Sequence, residues 1–297
     1  MIAIPSEFVE RTVARAGEAG RAWIDRLPGI VASHLERWAL TPDGPVMHGF
    51  NGIAVPVRRA SGEATVLKVA WQDGDVSWEA RALAAWGGRG AIRLLERDET
   101  AGVLLVERLD PSRSARELPG LDAARVLGQV CRRLAVPAPP GMPRVDELAA
   151  RWVEDLPRDW ERLGRPFPRA RVDEAVATCR ELGPDQPNLL LHGDLVFDNV
   201  LRAEREPWLA IDPDGFAGEP AFDSAQFLTN RWSELTAQPD LRAAVRARLS
   251  AFAEGAGVDC ERARRWAQAR NVSEAIWCRE HQPDAVWFVD ALGEVLA

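Results

Sequence analysis

Residues 189–227 read LLLHGDLVFDNVLRAEREPWLAIDPDGFAGEPAFDSAQF. The apolar run 189–191 stops at His192, Gly193 and Asp194. Five positions after that aspartate stands Asn199, which opens a second apolar stretch with Val200 and Leu201, and a third run, 208–211, stops at Asp212. Short apolar runs bounded by polar residues read as buried strands, and such strands present the groups at their ends to a cleft from a rigid support. The groups presented are one potential base and two oxygen ligands. Phosphoryl transfer calls for this set, because there the protein mostly positions groups and neutralises charge, through an Asp-x-x-x-x-Asn loop followed by a metal-binding Asp. Asp194 would accept the proton of the attacking hydroxyl, while Asn199 and Asp212 supply the hard oxygen ligands that Mg²⁺ takes while it bridges nucleotide phosphates.

HGDLVFDNVL followed by WLAIDPDGFAGEPAFD resembles the aminoglycoside phosphotransferases, and within them the branch of streptomycin 6-phosphotransferases and hydroxyurea kinases. The resemblance implies an α+β, protein-kinase-like fold of two lobes. It also implies Asp194 as catalytic base, Asn199 and Asp212 as Mg²⁺ ligands, and Asp223 as a buried carboxylate bracing the catalytic loop from the start of the next helix. Nearly the whole chain can be laid along such an enzyme, with this stretch carrying the specific signal. Asp214, two residues past the metal ligand, reads either as a bystander or as an acid supporting the site.

The 297 residues are enough for one two-lobed enzyme, at 46% hydrophobic content and a net charge of -8. An acidic chain without a basic stripe is a poor nucleic-acid binder. No apolar run approaches the length of a membrane span, and the first thirty residues carry Glu7, Glu10 and Glu18 instead of a basic start and an apolar stretch. The expected compartment is therefore the cytoplasm, with no membrane partner; oligomeric state leaves no mark in the sequence. Cys131, Cys179, Cys260 and Cys278 stand far apart without a C-x-x-C, which argues against structural zinc and for reduced thiols packed in helices.

Residues 6–38 predict two helices, the first capped by Ser6 and the second opened by Pro28. From Val46 the period changes: 53–57, 65–69, 92–95 and 103–109 are short runs rich in branched residues, and 76–86 between them has helical spacing. This is a small antiparallel sheet with one helix, the N-terminal lobe, with its boundary near Leu109 and the C-terminal lobe over 110–297. Lys68 lies inside that sheet and is the chain's one lysine among 37 basic residues. A compact ammonium in an apolar strand suits phosphate oxygens as a point charge where a planar guanidinium would not fit. Its expected partner is Glu79 on the following helix. The loop His48-Gly49-Phe50-Asn51-Gly52 stands where a phosphate-covering loop belongs, though GFNG is not G-x-G-x-x-G and reads equally as a hairpin turn. Residues Glu107 to Leu109 are the expected hinge, whose backbone would hold the base of ATP or GTP.

Helices are expected over 121–135, 144–163, 169–182, 239–254, 259–280 and 284–296, with Pro220 at a helix start. Glu274, Trp277, Glu280, His281 and Asp284 are then candidates to line the substrate pocket. The expected function is an ATP- and Mg²⁺-dependent O-phosphotransferase for a small hydroxylated molecule, an aminoglycoside-type antibiotic first. A cationic substrate fits the acids Glu274, Glu280, Asp284 and Asp290, with Arg279 as the residue that would oppose it. The alternatives are a kinase of hydroxyurea or of an ordinary metabolite, and a catalytically silent kinase fold serving as a binding module.

Overall fold

The computed structural model describes residues 2–71 and 76–297. Two compact units divide the chain, one running to Gly88 and including Ile92–Leu109, the other formed by Arg89–Ala91 and Asp110–Ala297.

The first unit runs α1 (Ser6–Arg37), β1 (Leu40–Pro42), β2 (Met47–His48), β3 (Gly52–Arg59), β4 (Ala64–Ala70), α2 (Val76–Trp86), β5 (Leu94–Asp98) and β6 (Val103–Glu107). Its sheet is antiparallel in the order β1-β3-β4-β6-β5, with β2 hung on β3. The expected succession of two strands, a helix and two strands is present. The edge strands β1 and β2 are additions, too short to show a period of two. The third expected strand sits further along than 92–95, because a bulge between Leu94 and Glu96 interrupts its alternation.

Alternate residues of these strands make the core. Ile53, Val55 and Val57 of β3, Leu67 and Val69 of β4, and Val103 and Leu105 of β6 bury together with Phe8, Trp23, Ile24, Leu27 and Val31 of α1. Lys68, between Leu67 and Val69, must therefore project from the opposite face. The helix itself corrects the sequence reading: the break lies at Gly17 (φ 58°, ψ -133°), and Pro28 sits inside the helix. An interior proline costs about 3 kcal/mol. Burial of a large apolar side chain returns roughly 1.5–3 kcal/mol, and Leu27 and Val31, which flank Pro28, are both fully buried with Ile24 nearby. Burial wins, and the helix runs through.

The second unit runs α3 (Gly120–Leu134), α4 (Val145–Arg162), α5 (Arg169–Leu182), β7 (Leu189–Leu191), β8 (Val200–Arg202), β9 (Trp208–Ala210), β10 (Phe216–Gly218), α6 (Trp232–Thr236), α7 (Leu241–Ala256), α8 (Cys260–His281) and α9 (Val286–Leu296). The three expected strands of the 189–227 stretch are β7, β8 and β9, and the long helices lie close to their expected bounds. Val145, Trp160, Val172, Cys179, Trp266 and Val272 of α4, α5 and α8 share one buried cluster with Leu191 and Phe222. That cluster anchors β7 and the 3-10 turn Pro220–Ser224 in the helical core. Cys131, Cys179 and Cys278 are buried free thiols, as expected, whereas Cys260 is exposed, being the first residue of α8 on its outer side. Among the described residues no helix is long and apolar enough to cross a membrane.

The break in α1 gives a test with two signs. A Cβ at Gly17 or Gly29 meets nothing within 4 Å, so only backbone terms count. Gly17→Ala should destabilise the protein by about 1–3 kcal/mol, because an L-residue rarely adopts that φ/ψ, and Gly29→Ala should stabilise it by about 0.4–1 kcal/mol. Urea unfolding midpoints of the two variants should move in opposite directions.

Candidate active site

β8 and β9 form a hairpin in which Val200 faces Ala210 and Arg202 faces Trp208. Its ladder continues one step further, since the Ile211 N–H donates to the Asn199 carbonyl at 2.9 Å. The register thus brings Asn199 and the neighbour of Asp212 side by side. Asp212 has φ 56°, a left-handed backbone that aspartate tolerates better than most residues, and it is exposed.

The Asn199 side-chain amide donates through Nδ2 to both the Asp194 carbonyl and Asp194 Oδ2, each at 3.0 Å. With its nitrogen committed to Asp194, the amide is left with Oδ1 as its acceptor atom. Asp194 is half-buried and follows Gly193 at φ 87°. A Cβ on Gly193 would stand 2.8 Å from the Phe216 ring and 2.9 Å from Asp214 Cβ, so glycine is required on both counts.

Below this loop lies a brace. Asp223, buried in the 3-10 turn, accepts the His192 N–H on Oδ2 at 3.0 Å and the Gly193 N–H on Oδ1 at 2.9 Å. Burial pushes its carboxyl up from the usual range, opposed by His192, Arg270 and the two backbone donors. The His192 ring is fully buried. Its Nδ1 accepts the Asp194 N–H at 3.3 Å and its Nε2 donates to the Ile211 carbonyl at 2.9 Å, an assignment of ring protons that the two partners dictate. One imidazole therefore ties Asp194 to the residue just before Asp212. From the far side, the Phe197 N–H donates to Asn230 Oδ1 at 2.8 Å, and Arg116 grips Asp198 through two bonds of 2.6 Å.

The sequence reading missed Arg270. On α8 it donates to the Gly193 carbonyl at 2.8 Å and the Phe222 carbonyl at 3.2 Å, and its guanidinium lies 4.3 Å from the Phe222 ring centroid. Burial pulls its pKa down, while Asp223, Asp214, Asp194 and Glu274 pull it up. One helical turn on, at the spacing that shares a face, Glu274 is exposed yet ringed by protein. The surrounding protein pushes its carboxyl up; the Cys278 thiol and Arg270 oppose that shift, and the Asp194 carboxylate adds to it.

The other acids of the expected substrate wall fare differently. Glu280 pairs with Arg162 at 2.5 Å and Asp290 with Arg279 at 2.6 Å. Arg279 also lies over the Phe167 ring and so does not stand as the free opposing cation that the sequence suggested. Trp277 stacks on His281 with centroids 5.0 Å apart, and Asp284 is exposed. Glu274 lies within the field of the Asp194 carboxylate.

In the first unit, Lys68 Nζ meets Glu79 Oε1 at 2.5 Å, both side chains largely buried. A compact cation held this way keeps its place on the sheet face away from α1. The Glu107 N–H donates to the Arg93 carbonyl at 2.9 Å, and its carboxylate accepts the Arg93 N–H at 3.0 Å, which fixes the end of β6 leading to Leu109. Among the described residues no three acids, histidines or cysteines gather as a cation cage. Mg²⁺ carried by a nucleotide needs none: one carboxylate and one amide oxygen, with phosphate oxygens and waters, complete its shell, and Asp212 with Asn199 is such a donor set.

A family model described as aminoglycoside/hydroxyurea antibiotic resistance kinase matches residues 37–282, a segment that α1 precedes. The streptomycin 6-kinase of Streptomyces glaucescens is 36% identical over 98% of this chain and 97% of its own length. The hydroxyurea phosphotransferase of Kitasatospora aureofaciens is 40% identical over 93% of this chain and 80% of its own length. Among solved structures, a choline/ethanolamine kinase family protein from Mesorhizobium loti superposes with a TM-score of 0.60 at 16% identity, covering 90% of this chain and 94% of that one. The fold is that of the protein-kinase-like phosphotransferases.

The brace predicts a coupled loss. Asp223→Asn keeps the shape but leaves one acceptor oxygen for two buried N–H groups, so unfolding free energy should fall by about 1–3 kcal/mol. Turnover should fall with it, as the loop bearing Asp194 loosens. Paired denaturation curves and kcat measurements check this; a variant with native stability and native turnover would show that Asp223 braces nothing.

Proposed function

The chain belongs to the aminoglycoside/hydroxyurea antibiotic resistance kinases, and from that premise we propose that it transfers the γ-phosphoryl group of Mg²⁺-ATP to a hydroxyl of a small aminoglycoside-type antibiotic such as streptomycin. The observation that carries this reading is the double bond from Asn199 Nδ2 to Asp194, with His192 joining the same loop to the residue before Asp212. In this reading the Asp194 carboxylate takes the acceptor hydroxyl's proton, the acceptor oxygen bonds to the γ-phosphorus, and the bond to the β-phosphate oxygen breaks to release ADP. Asn199 Oδ1 and the Asp212 carboxylate would hold Mg²⁺, which when bound neutralises charge on the phosphate oxygens. Lys68, oriented by Glu79, serves the non-transferred phosphates. The Glu107 carbonyl and the Leu109 N–H are the backbone groups assigned to the base edge, a mode of recognition open to ATP and GTP alike. Glu274, with Trp277 and His281 further along α8, is assigned to the acceptor.

A second reading has its own support. Arg162 and Arg279 neutralise Glu280 and Asp290, so the wall is less acidic than the sequence suggests, and a small neutral acceptor such as hydroxyurea needs no acidic wall at all.

Two measurements test the assignment. Asp194→Asn should lower kcat by about 10² to 10⁴ fold, the usual worth of general acid-base catalysis, with nucleotide affinity little changed; wild-type turnover in this variant would falsify the assignment of the base. The acceptor is tested by kcat/KM for streptomycin, other aminoglycosides, hydroxyurea and simple sugars as pH and salt vary. Glu274 binds a cation only when ionised, and its carboxyl is raised. As pH falls through that raised value the carboxylate is lost, so KM for a cationic acceptor should climb, beginning at a higher pH than an ordinary glutamate would give. Hydroxyurea, uncharged, should show no such climb, and Glu274→Gln should flatten the difference. A neutral acceptor that wins with a salt-independent rate would select the second reading.

A further inference from the structure

The GFNG loop between β2 and β3 is not left to itself. It closes as a tight hairpin, with the Gly49 N–H donating to the Gly52 carbonyl at 3.0 Å, and a Cβ on Gly52 would collide with the Val69 carbonyl at 2.6 Å. The first segment of α1, before the Gly17 break, reaches over this loop with two arginines a single turn apart. Arg11 Nη2 donates to the Gly49 carbonyl and lies 3.3 Å from His48 Nδ1. Arg15 Nη1 donates to the Phe50 carbonyl at 3.3 Å and to Asn51 Oδ1 at 2.7 Å. Their guanidinium carbons stand 5.7 and 4.6 Å from the Phe50 ring centroid, a cation–π contact with each. Phe8, fully buried, packs its ring 5.6 Å from His48 and fastens the same segment to the sheet.

The geometry of the peptide bond turns these contacts into a statement about the loop's other side. A trans peptide sets its C=O and N–H in opposite directions. With the Gly49 and Phe50 carbonyls drawn toward α1, the N–H groups of Phe50 and Asn51 are turned away from α1. Two successive backbone N–H groups aimed to one side form an anion-binding concavity of the kind that receives phosphate. We infer that Arg11 and Arg15 are positioning residues which hold the GFNG loop with two N–H groups presented to the phosphates of the nucleotide, a role that rests on the kinase reading above. They act through the loop, whose Gly49 and Gly52 keep the spacing of the last two glycines of a G-x-G-x-x-G sequence while Met47 stands at the first. The two cations add a favourable field for an anion on the far side of the same peptide groups.

The test separates phosphate recognition from recognition of the rest of the nucleotide. The intact protein and the double variant Arg11→Gln/Arg15→Gln would be titrated with Mg²⁺ and a non-hydrolysable ATP analogue, and separately with adenosine. The account predicts about a tenfold weaker Kd for the analogue and an adenosine Kd within about twofold of wild type, since only phosphate contacts are disturbed. Arg15→Lys, which can still donate to a carbonyl, should recover part of the loss. Asn51→Ala, an exposed loop change that leaves the core untouched, should weaken the analogue by a smaller factor and adenosine not at all, and it supplies the answer if the double variant fails to fold. Equal weakening of both ligands, or no weakening of the analogue in either the double variant or Asn51→Ala, overturns the clamp while a wild-type protein that still binds the analogue upholds the kinase reading. Wild-type protein that binds neither ligand overturns both.

Discussion

Two backbone N–H groups sharing one buried carboxylate hold this molecule's chemistry in place. Asp223 accepts from His192 and Gly193 at 3.0 and 2.9 Å in a site where an unpaired donor or a lone charge would each be expensive. Either partner alone would be a liability; together they fix the backbone at the point where β7 gives way to the loop bearing Asp194. His192 then carries the constraint across, because its ring bonds to the Asp194 N–H on one side and to the Ile211 carbonyl on the other. Asp194 and the residue before Asp212 thus belong to one hydrogen-bonded piece, which in the proposed reaction is the condition under which oriented groups lower a barrier most.

The surroundings of this piece are rich in acids. Arg270 is drawn upon by Asp223, Asp214, Asp194 and Glu274, so that four acids act on one buried guanidinium. In the proposed reaction a divalent cation held by Asn199 and Asp212 would offset the charge that these acids and the nucleotide phosphates share. In the proposed reading a cationic acceptor would meet Glu274, whereas Glu280 and Asp290 have spent their charge on Arg162 and Arg279. Arg270 also settles part of the question over Asp214: it lies near enough to Arg270 and Gly193 to act on the site's field.

What the sequence made legible was what is local or chemically singular. Asn199 and Asp212 flank one short hairpin and Asp194 stands in the loop just before it, so their spacing carried their geometry. Lys68 stood out because the chain writes every other cation as arginine, and its pairing with Glu79 follows from one strand and the next helix. Arg270 was hidden for the same reason reversed: among so many arginines, nothing marks the one that reaches the Gly193 carbonyl, except that it precedes Glu274 by one helical turn. The partners of Glu280 and Asp290 come from α4 and from the facing turn of α8, distances along the chain that no periodicity reports. Pro28 misled because a local rule about helix starts was outweighed by the burial of Leu27 and Val31 on the sheet, and β1 was too short to show a period at all. The arginine clamp on the GFNG loop joins residues more than thirty positions apart, and only the folded chain displays it.

That the loop bearing Asp194 and the segment before Asp212 are locked together in the free protein is tested most directly by amide hydrogen exchange at His192 and Gly193. If Asp223 holds both N–H groups as described, these amides should exchange within about tenfold of the rate of buried α8 amides such as that of Val272, opening only when the unit unfolds. Exchange more than about a thousandfold faster than α8, with α8 itself still protected, would mean that the loop opens on its own and would contradict the account.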